Sequence, residues 1–266
     1  MTNLLALKDV SISFKKPYHP VVKKANISVQ KGEITVLLGE SGSGKTMLIK
    51  AICGVLNRKN MELTGECNFN GAELFSKTEK ERRMIAPQIA LIMQNPMTAF
   101  NPSVKIGSQI TEGLIYHSKI TRKEAEEKAL HILEVLSLPS PKHILNSYPD
   151  ELSGGMLQRV MITIAMISEA KLMIADEPTT ALDVVSQDVI LNEFCKLRET
   201  GLGILLVTHD LYVARKVADR IAVMYQGEIV EENTVDELLT NPKHEYTKLL
   251  LTESKLKRGV NYAKDK

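Results

Sequence analysis

Cysteine is scarce in this sequence, and the cysteines present lie far apart. Cys53, Cys67 and Cys195 form no C-x-x-C pair, which is the spacing found in most zinc motifs. Isolated thiols of this kind usually pack as small apolar groups in proteins of reducing compartments. The cysteine pattern therefore argues against a zinc site and predicts a reducing environment.

Long apolar runs are also absent from the sequence. The longest candidate is residues 160–167, which contains Thr163 and is less than half of the about 18 residues that a membrane helix needs. The first residues, 1–9, lack a basic stretch followed by an apolar core, so we predict no signal peptide. We expect a chain that does not enter the membrane, although it can still dock on a membrane protein.

Neither sign of charge dominates. The 266 residues include 34 basic and 32 acidic side chains, which leaves a net charge of +2. A balance this even gives no reason to propose nucleic acid as a partner. Because 44% of the residues are hydrophobic, the chain is long and apolar enough for a substantial core and one or two domains.

One stretch fits the phosphate-binding loop pattern G-x-x-x-x-G-K-[ST], namely Gly39-Glu40-Ser41-Gly42-Ser43-Gly44-Lys45-Thr46. A buried strand is predicted before it, over 33–38, and a helix after it, over 47–52. Glycines let backbone N–H groups approach phosphate oxygens, and the helix N-terminus adds partial positive charge. Lys45 would reach the β- and γ-phosphates, and the Thr46 hydroxyl would ligate Mg²⁺.

Strand and helix patterns alternate through much of the sequence. Strands are predicted over 5–14 and 25–30, joined by a loop containing Pro17 and Pro20, and again over 171–176 and 203–208. Helices are predicted over 186–199 and 211–218, and a hairpin over 221–231. This alternation predicts a parallel sheet with right-handed crossovers.

A helical insertion is predicted between two parts of this α/β core, from about residue 97 to 160. Thr121 and Glu124 fit a capping box. Apolar residues follow at helical spacing: Ala125, Ala129, Ile132, Leu133 and Leu136. Pro139 and Pro141 end this helix.

The apolar strand pattern at 172–177 ends in two carboxylates. Asp176, at the end of the strand, can hold Mg²⁺ directly or through water. Glu177 is one residue further on and turned the other way, where it can polarise an attacking water. A single acidic residue often caps a strand end, but two carboxylates followed by Pro178 favour a site.

A second anion-binding helix start lies within residues 152–159. Ser153, Gly154 and Gly155 open a predicted helix with exposed N–H groups and a hydroxyl. One chain rarely needs two phosphate-binding helix starts for one nucleotide. We therefore expect this one to serve a nucleotide held by another copy of the fold.

Taken together, these motifs resemble the nucleotide-binding subunits of ABC transporters over nearly the whole chain, in the order found in that family. The matching elements are the phosphate loop, the Q-loop glutamine Gln94, the signature at 153–158, the Walker B pair Asp176 and Glu177, the D-loop Ala181-Leu182-Asp183 and the switch histidine His209.

The resemblance implies the α/β fold of a P-loop ABC ATPase, with a parallel sheet, an N-terminal antiparallel β-region and an inserted helical subdomain. It implies one ATP-binding domain over residues 1–266. The core would comprise 1–96 and 161–240, the helical signature subdomain 97–160, and a C-terminal extension 241–266.

The resemblance also implies roles for the site residues, with ATP and Mg²⁺ as the cofactors. Gln94 would touch Mg²⁺ or the attacking water, so that Thr46, Gln94 and Asp176 are the expected magnesium ligands. Glu177 would act as general base or position the water, and His209 would contact the γ-phosphate. An aromatic residue upstream of the phosphate loop would stack on adenine; Tyr18 and Phe14 are both candidates.

Finer features resemble the peptide and nickel importer branch of the family. They are the Q-loop extension at 94–102 and the H-x-Y-T segment at 244–247. Met156-Leu157 in the signature and the lack of cysteine after Cys195 favour a resemblance to the D subunit of nickel importers. The expected function is ATP-driven uptake of nickel or a nickel chelate. A di- or oligopeptide importer is the alternative, and a soluble non-transport ABC ATPase is a more distant one.

The branch also implies partners and a location. We expect a second, related ATPase subunit in a heterodimer, two membrane permease subunits and an extracytoplasmic substrate-binding protein. The chain would lie at the cytoplasmic face of a bacterial membrane as a peripheral subunit.

Overall fold

Two β-sheets and ten helices are found in the computed structural model, which describes residues 3–118, 120–168, 170–180 and 182–257. The strands are β1 Leu5–Lys15, β2 Tyr18–Val29, β3 Ile34–Leu38, β4 Met61–Phe69, β5 Ala72–Glu73, β6 Ile89–Ile92, β7 Leu172–Asp176, β8 Gly203–Thr208, β9 Arg220–Tyr225 and β10 Glu228–Thr234. The helices are α1 Lys45–Ile52, α2 Glu79–Ile85, α3 Ile106–Ser118, α4 Arg122–Val135, α5 Pro141–Asn146, α6 Gly154–Ile167, α7 Val184–Glu199, α8 Leu211–Val217, α9 Val235–Thr240 and α10 Glu245–Lys257.

The larger sheet has six strands in the order β10-β9-β3-β8-β7-β6. All neighbours are parallel except the β9–β10 hairpin, so the predicted parallel sheet and hairpin are confirmed. Every residue of β3, β7 and β8 is buried, as expected for parallel strands covered on both faces. Their carboxyl ends lie along one edge of the sheet, where ligands of open α/β sheets bind.

Successive side chains of the central strands pack alternately into two apolar cores. Val36 of β3 and Leu206 of β8 pack with the helical insertion and with α7 and α8. Leu37 and Leu205, one residue away in each strand, pack with α1 and the smaller sheet. Each fully buried side chain of this size contributes about 1.5–3 kcal/mol, so the strand ends that carry the candidate site rest on a well-packed base.

The smaller sheet is antiparallel, with the order β2-β1-β4-β5. It confirms the N-terminal β-region but corrects the predicted proline loop. β1 and β2 form one long hairpin that turns at residues 16–17, and Pro20 lies opposite Ser13 inside the ladder. β2 is the edge strand of this sheet, where a residue without an N–H is tolerated.

The helical insertion lies between β6 and β7 and comprises α3 to α6. The capping box of α4 is confirmed, because Thr121 and Glu124 exchange side chain to backbone hydrogen bonds of 2.7 and 3.3 Å. α6 continues without a break through residue 160, where the predicted helical subdomain ends. The subdivision of the chain at that residue stays a prediction.

Among the residues that the structure describes, no helix combines the length and the apolar character that crossing a bilayer requires.

Candidate nucleotide site

The phosphate loop connects the end of β3 to the start of α1 and depends on glycine at two positions. Gly44 has φ 109° and precedes Lys45, the first residue of the helix. A Cβ on Gly39 would lie 2.3 Å from the carbonyl oxygen of Met224. The first position needs a backbone conformation that other residues rarely adopt, and the second has no room for a side chain.

Lys45 is buried at the centre of this loop, with 5% of its surface exposed. Its Nζ donates to the carbonyl oxygens of Gly39 and Glu40, both at 2.7 Å. Burial lowers the pKa of Lys45, whereas the charges of Glu177, Asp176 and Glu40 act in the opposite direction. Two neutral carbonyl groups therefore hold the Lys45 ammonium. An anionic phosphate can replace them, because a charged acceptor binds the ammonium more strongly than a neutral one does.

The rest of the loop also fits a bound anion. Ser41 and Gly42 form its exposed tip, whereas Ser43 is buried. The Oγ of Ser43 has no hydrogen-bond partner among the residues described here. The glycine cradle, the buried ammonium and this unpartnered hydroxyl all suit a polyphosphate.

Thr46 and Asp176 form the candidate magnesium position. The Thr46 Oγ1 donates to Asp176 Oδ2 at 3.2 Å, which joins the first turn of α1 to the end of β7. A hydroxyl and one carboxylate beside a phosphate site are oxygen ligands of the kind that Mg²⁺ prefers. Within the described residues no group of three or more His, Cys, Asp or Glu side chains could hold a metal, so phosphate oxygens and water would supply the other ligands.

The folded protein disfavours the ionised form of Asp176, and we therefore expect Asp176→Asn to increase the stability of the folded protein. Burial raises the pKa of Asp176, and the hydrogen bond from Thr46 only partly offsets this. Ionisation at pH 8 therefore costs the folded state free energy, and the uncharged asparagine should raise Tm by about 2–4 °C. The gain should shrink as the pH falls through the folded-state pKa, where aspartic acid is also neutral. Thermal unfolding of the nucleotide-free protein across pH checks this, and a gain that does not depend on pH would contradict it.

Glu177 is the centre of a polar cluster directly beyond β7. Its Oε2 accepts hydrogen bonds from Gln94 Nε2 at 3.0 Å and from Thr180 Oγ1 at 3.1 Å. Its Oε1 lies 3.0 Å from His209 Nδ1. The backbone of Glu177 is left-handed, with φ 48°, and its N–H donates to Val207 O at 2.9 Å. A carboxylate oriented by three polar side chains is well placed to position a water or accept its proton.

The structure brings Gln94 to Glu177 rather than to the Thr46–Asp176 pair. The expectation that Gln94 touches the metal or the water thus stays a prediction, with the hydrogen bond to Glu177 favouring the water. Thr180 was not among the predicted site residues. Thr180 lies only three residues after Glu177, and this short spacing is the signal that could have identified it.

The signature segment opens α6, and its first two residues are exposed. The Oγ of Ser153 accepts a hydrogen bond from Met156 N–H at 3.3 Å, and Ser153 and Gly154 are exposed. Further along the helix, Gln158 Nε2 donates to Pro178 O at 3.0 Å. The signature helix is thereby tied to the segment that follows Glu177.

The two adenine-stacking candidates lie near the hairpin turn of the smaller sheet. Tyr18 is 71% exposed and Phe14 is 41% exposed. β2 passes the phosphate loop, because Val21 O lies 2.9 Å from the place that a Cβ on Gly44 would occupy. Both aromatic rings remain candidates for adenine stacking.

The D-loop is only partly described, because Ala181 lies outside the described residues. Asp183 caps α7 by accepting a hydrogen bond from Ser186 N–H at 3.0 Å.

Several known proteins are similar to this chain over most of its length. A family model described as "ABC transporter" matches residues 22–180. The oligopeptide transport ATP-binding protein OppD of Lactococcus lactis subsp. cremoris strain SK11 is 42% identical over 253 residues, which cover 94% of this chain and 75% of OppD. The metal-staphylopine import system ATP-binding protein CntD of Staphylococcus aureus strain Mu50 is 40% identical over 254 residues, which cover 95% of this chain and 93% of CntD.

A solved structure with the same fold is the dimeric ATP-binding cassette MJ0796 in a post-hydrolysis state with ADP and Pi. It superposes with a TM-score of 0.78 and 27% sequence identity, over 87% of this chain and 98% of that chain. The predicted fold class, including the N-terminal antiparallel sheet, is confirmed.

Proposed function

The chain belongs to the ABC transporter family as an ATP-binding ATPase subunit of the oligopeptide and metal-chelate importer type, and we propose that it powers the uptake of oligopeptides into a bacterial cell. The assignment of oligopeptides as the cargo rests on the 42% identity with OppD over 94% of the chain. The expected nickel importer D subunit has less support, because the metal-related relative described above imports a metal–staphylopine complex.

Import of a metal chelate is the second candidate function. It is favoured by the similarity to CntD, which is 40% identical over 95% of the chain. Cargo specificity in such importers lies outside the ATPase fold. The nucleotide site described here therefore serves either cargo equally well.

The proposed mechanism starts from the residues around the phosphates. The loop from Gly39 to Thr46 binds them through backbone N–H groups, and Lys45 neutralises charge on the β- and γ-phosphates. Thr46 and Asp176 would hold Mg²⁺, which would supply positive charge next to the phosphate oxygens. Glu177 positions the attacking water and takes its proton.

Gln94 and His209 act next to Glu177 in this proposal. Gln94 orients the Glu177 carboxylate and links it to the segment at 94–102, where we propose that the membrane subunits press on the chain. His209 contacts the γ-phosphate, and either Tyr18 or Phe14 stacks on adenine. The attachment of both Gln94 and His209 to one carboxylate supports a role for both in the same step.

A complete site is proposed to need a second subunit. Ser153, Gly154 and Gly155 lie at an exposed helix start, which supports their binding of the γ-phosphate of ATP held by a partner. The dimeric assembly of the MJ0796 cassette with ADP and Pi supports this arrangement. ATPase subunits of importers work with membrane permeases. We further propose that the partner is a related but distinct ATPase, that a substrate-binding protein delivers the cargo, and that this chain lies at the cytoplasmic face of the membrane.

Uptake by the source cells tests the proposed cargo. Cells carrying Lys45→Ala should lose uptake of a labelled oligopeptide, because the phosphate loop can no longer power the transporter. Labelled nickel and a labelled metal chelate form parallel arms, and Lys31→Ala is the matched control, since it removes an exposed lysine that lies before the same strand.

The arms separate the cargo classes. Loss of peptide uptake with metal uptake unchanged is the expected result. Loss of chelate uptake alone would favour the second candidate, and loss of free nickel uptake alone would restore the nickel importer assignment. Unchanged uptake in all three arms would refute import of these cargoes.

A further inference from the structure

The start of α10 is fixed to the edge of the larger sheet by one carboxylate. Glu231 of β10 accepts hydrogen bonds from the backbone N–H groups of Lys243 at 2.8 Å and His244 at 3.0 Å. Burial opposes ionisation of Glu231, but the favourable polar contacts of this carboxylate outweigh it and lower the pKa of Glu231. The segment that enters α10 is therefore anchored on β10 by a charged group.

This anchor places Tyr246 against the phosphate loop. Only 6% of Tyr246 is exposed, and its ring stacks on Tyr225 with centroids 4.0 Å apart and an interplanar angle of 24°. The Tyr246 hydroxyl accepts a hydrogen bond from the backbone N–H of Glu40 at 3.2 Å. A side chain from the far end of the chain thus contacts the second residue of the phosphate loop.

Burial raises the pKa of Tyr246 to about 12. The phenol therefore stays protonated at neutral pH, and its oxygen accepts from the Glu40 N–H as a neutral group. Glu40 also supplies one of the two carbonyl oxygens that accept from the Lys45 ammonium. The position of this loop residue therefore affects the cation that meets the phosphates.

We propose that Tyr246 is a positioning residue for ATP binding, which fixes the Glu40 peptide of the phosphate loop. Its hydroxyl does so by accepting the hydrogen bond from the Glu40 N–H. This inference rests on the proposal that the loop from Gly39 to Thr46 binds the phosphates. Tyr246 acts through the loop and does not touch the nucleotide.

Removal of the hydroxyl leaves the N–H of Glu40 without its partner, so the loop is less preorganised for phosphate. This change weakens ATP binding, whereas Glu177, Gln94 and His209 keep their contacts, so the chemical step should change little.

The test is Tyr246→Phe in the complete transporter, which keeps the stacked ring and removes only the hydroxyl. We expect the Kd and the KM for ATP to rise about 3- to 10-fold, the net effect of losing one hydrogen bond, with kcat within about twofold of the parent value. Tyr225→Phe is the matched control. It removes the hydroxyl of the other stacked ring, which accepts from Gln226 Nε2 at 3.0 Å, and both constants should stay at the parent values.

The outcomes separate a positioning role from a structural one. Unchanged ATP affinity in Tyr246→Phe, or the same loss in Tyr225→Phe, would overturn the inference. Loss of kcat and of melting temperature with the KM unchanged would also overturn it, since it would indicate only local packing.

Lys45→Ala in the same assay keeps this inference separate from the proposed function. If Lys45→Ala binds ATP as well as the parent protein does, the phosphate-loop proposal itself fails. If Lys45→Ala loses ATP and Tyr246→Phe does not, only the role of Tyr246 fails.

Discussion

Glu177→Gln should slow ATP hydrolysis by about 10²- to 10⁴-fold, the range expected when a general base is removed, while ATP still binds. Glutamine has nearly the same shape and can still accept from Gln94 and Thr180, but it cannot take a proton from water. The phosphate loop and Lys45 are unchanged, so the nucleotide should be held and the two subunits should remain closed around it. Phosphate release and gel filtration with ATP and Mg²⁺ measure the two effects.

The control for Glu177→Gln is another carboxylate on the same chain. Glu228→Gln removes an exposed charge that pairs with Lys23 at 3.1 Å, and it should hydrolyse ATP at the parent rate. Hydrolysis by Glu177→Gln at the parent rate would show that Glu177 is not the base. Loss of ATP binding in this variant would instead assign Glu177 to nucleotide binding.

Lys45→Ala should abolish ATP turnover by preventing binding. Lys45 is the buried cation among three acidic side chains, Glu40, Asp176 and Glu177, whose charges all act on it. Without Lys45, these carboxylates repel the phosphates. The phosphates also lose the buried cation that pairs with them, so ATP binding should weaken at least about 10²-fold. Equilibrium titration with a fluorescent ATP analogue measures the loss, which distinguishes this variant from Glu177→Gln.

The matched control for this second prediction is Lys31→Ala, with the same change of charge at an exposed position. It should bind the analogue with the parent affinity. Parent-like binding by Lys45→Ala would contradict the assignment of the phosphate loop.

Much of the site could be predicted because it follows from local rules. The phosphate loop, Asp176 and His209 all stand directly after apolar strands, and parallel strands bring their carboxyl ends to one edge of a sheet. The capping box at Thr121 is equally local, since it involves only residues three apart.

Features that depend on distant contacts could not be predicted. The hydrogen bond between Tyr246 and Glu40 joins residues 206 positions apart, and no periodicity connects them. The sequence contained the H-x-Y-T segment, but nothing in it pointed to the phosphate loop. Pro20 was predicted to lie in a loop, although it lies in an edge strand, because edge pairing is decided by the neighbouring chain and not by the local sequence.

The hydrogen bond between Gln94 and Glu177 could not be predicted for the same reason. The residues are 83 positions apart and meet because β6 and β7 are neighbouring strands. The strand patterns indicated a parallel sheet but left the strand order open. The two distant partners of the Glu177 carboxylate, Gln94 and His209, therefore became visible only in the fold.

The most direct test of this account is ATP hydrolysis by the complete transporter in lipid vesicles, measured with and without oligopeptide supplied with its binding protein. The account predicts a slow rate without peptide, a faster rate with peptide, and loss of both rates in Glu177→Gln. A rate that responds to a metal chelate and not to peptide would contradict the proposed cargo. An undiminished rate in Glu177→Gln would contradict the proposed catalytic site.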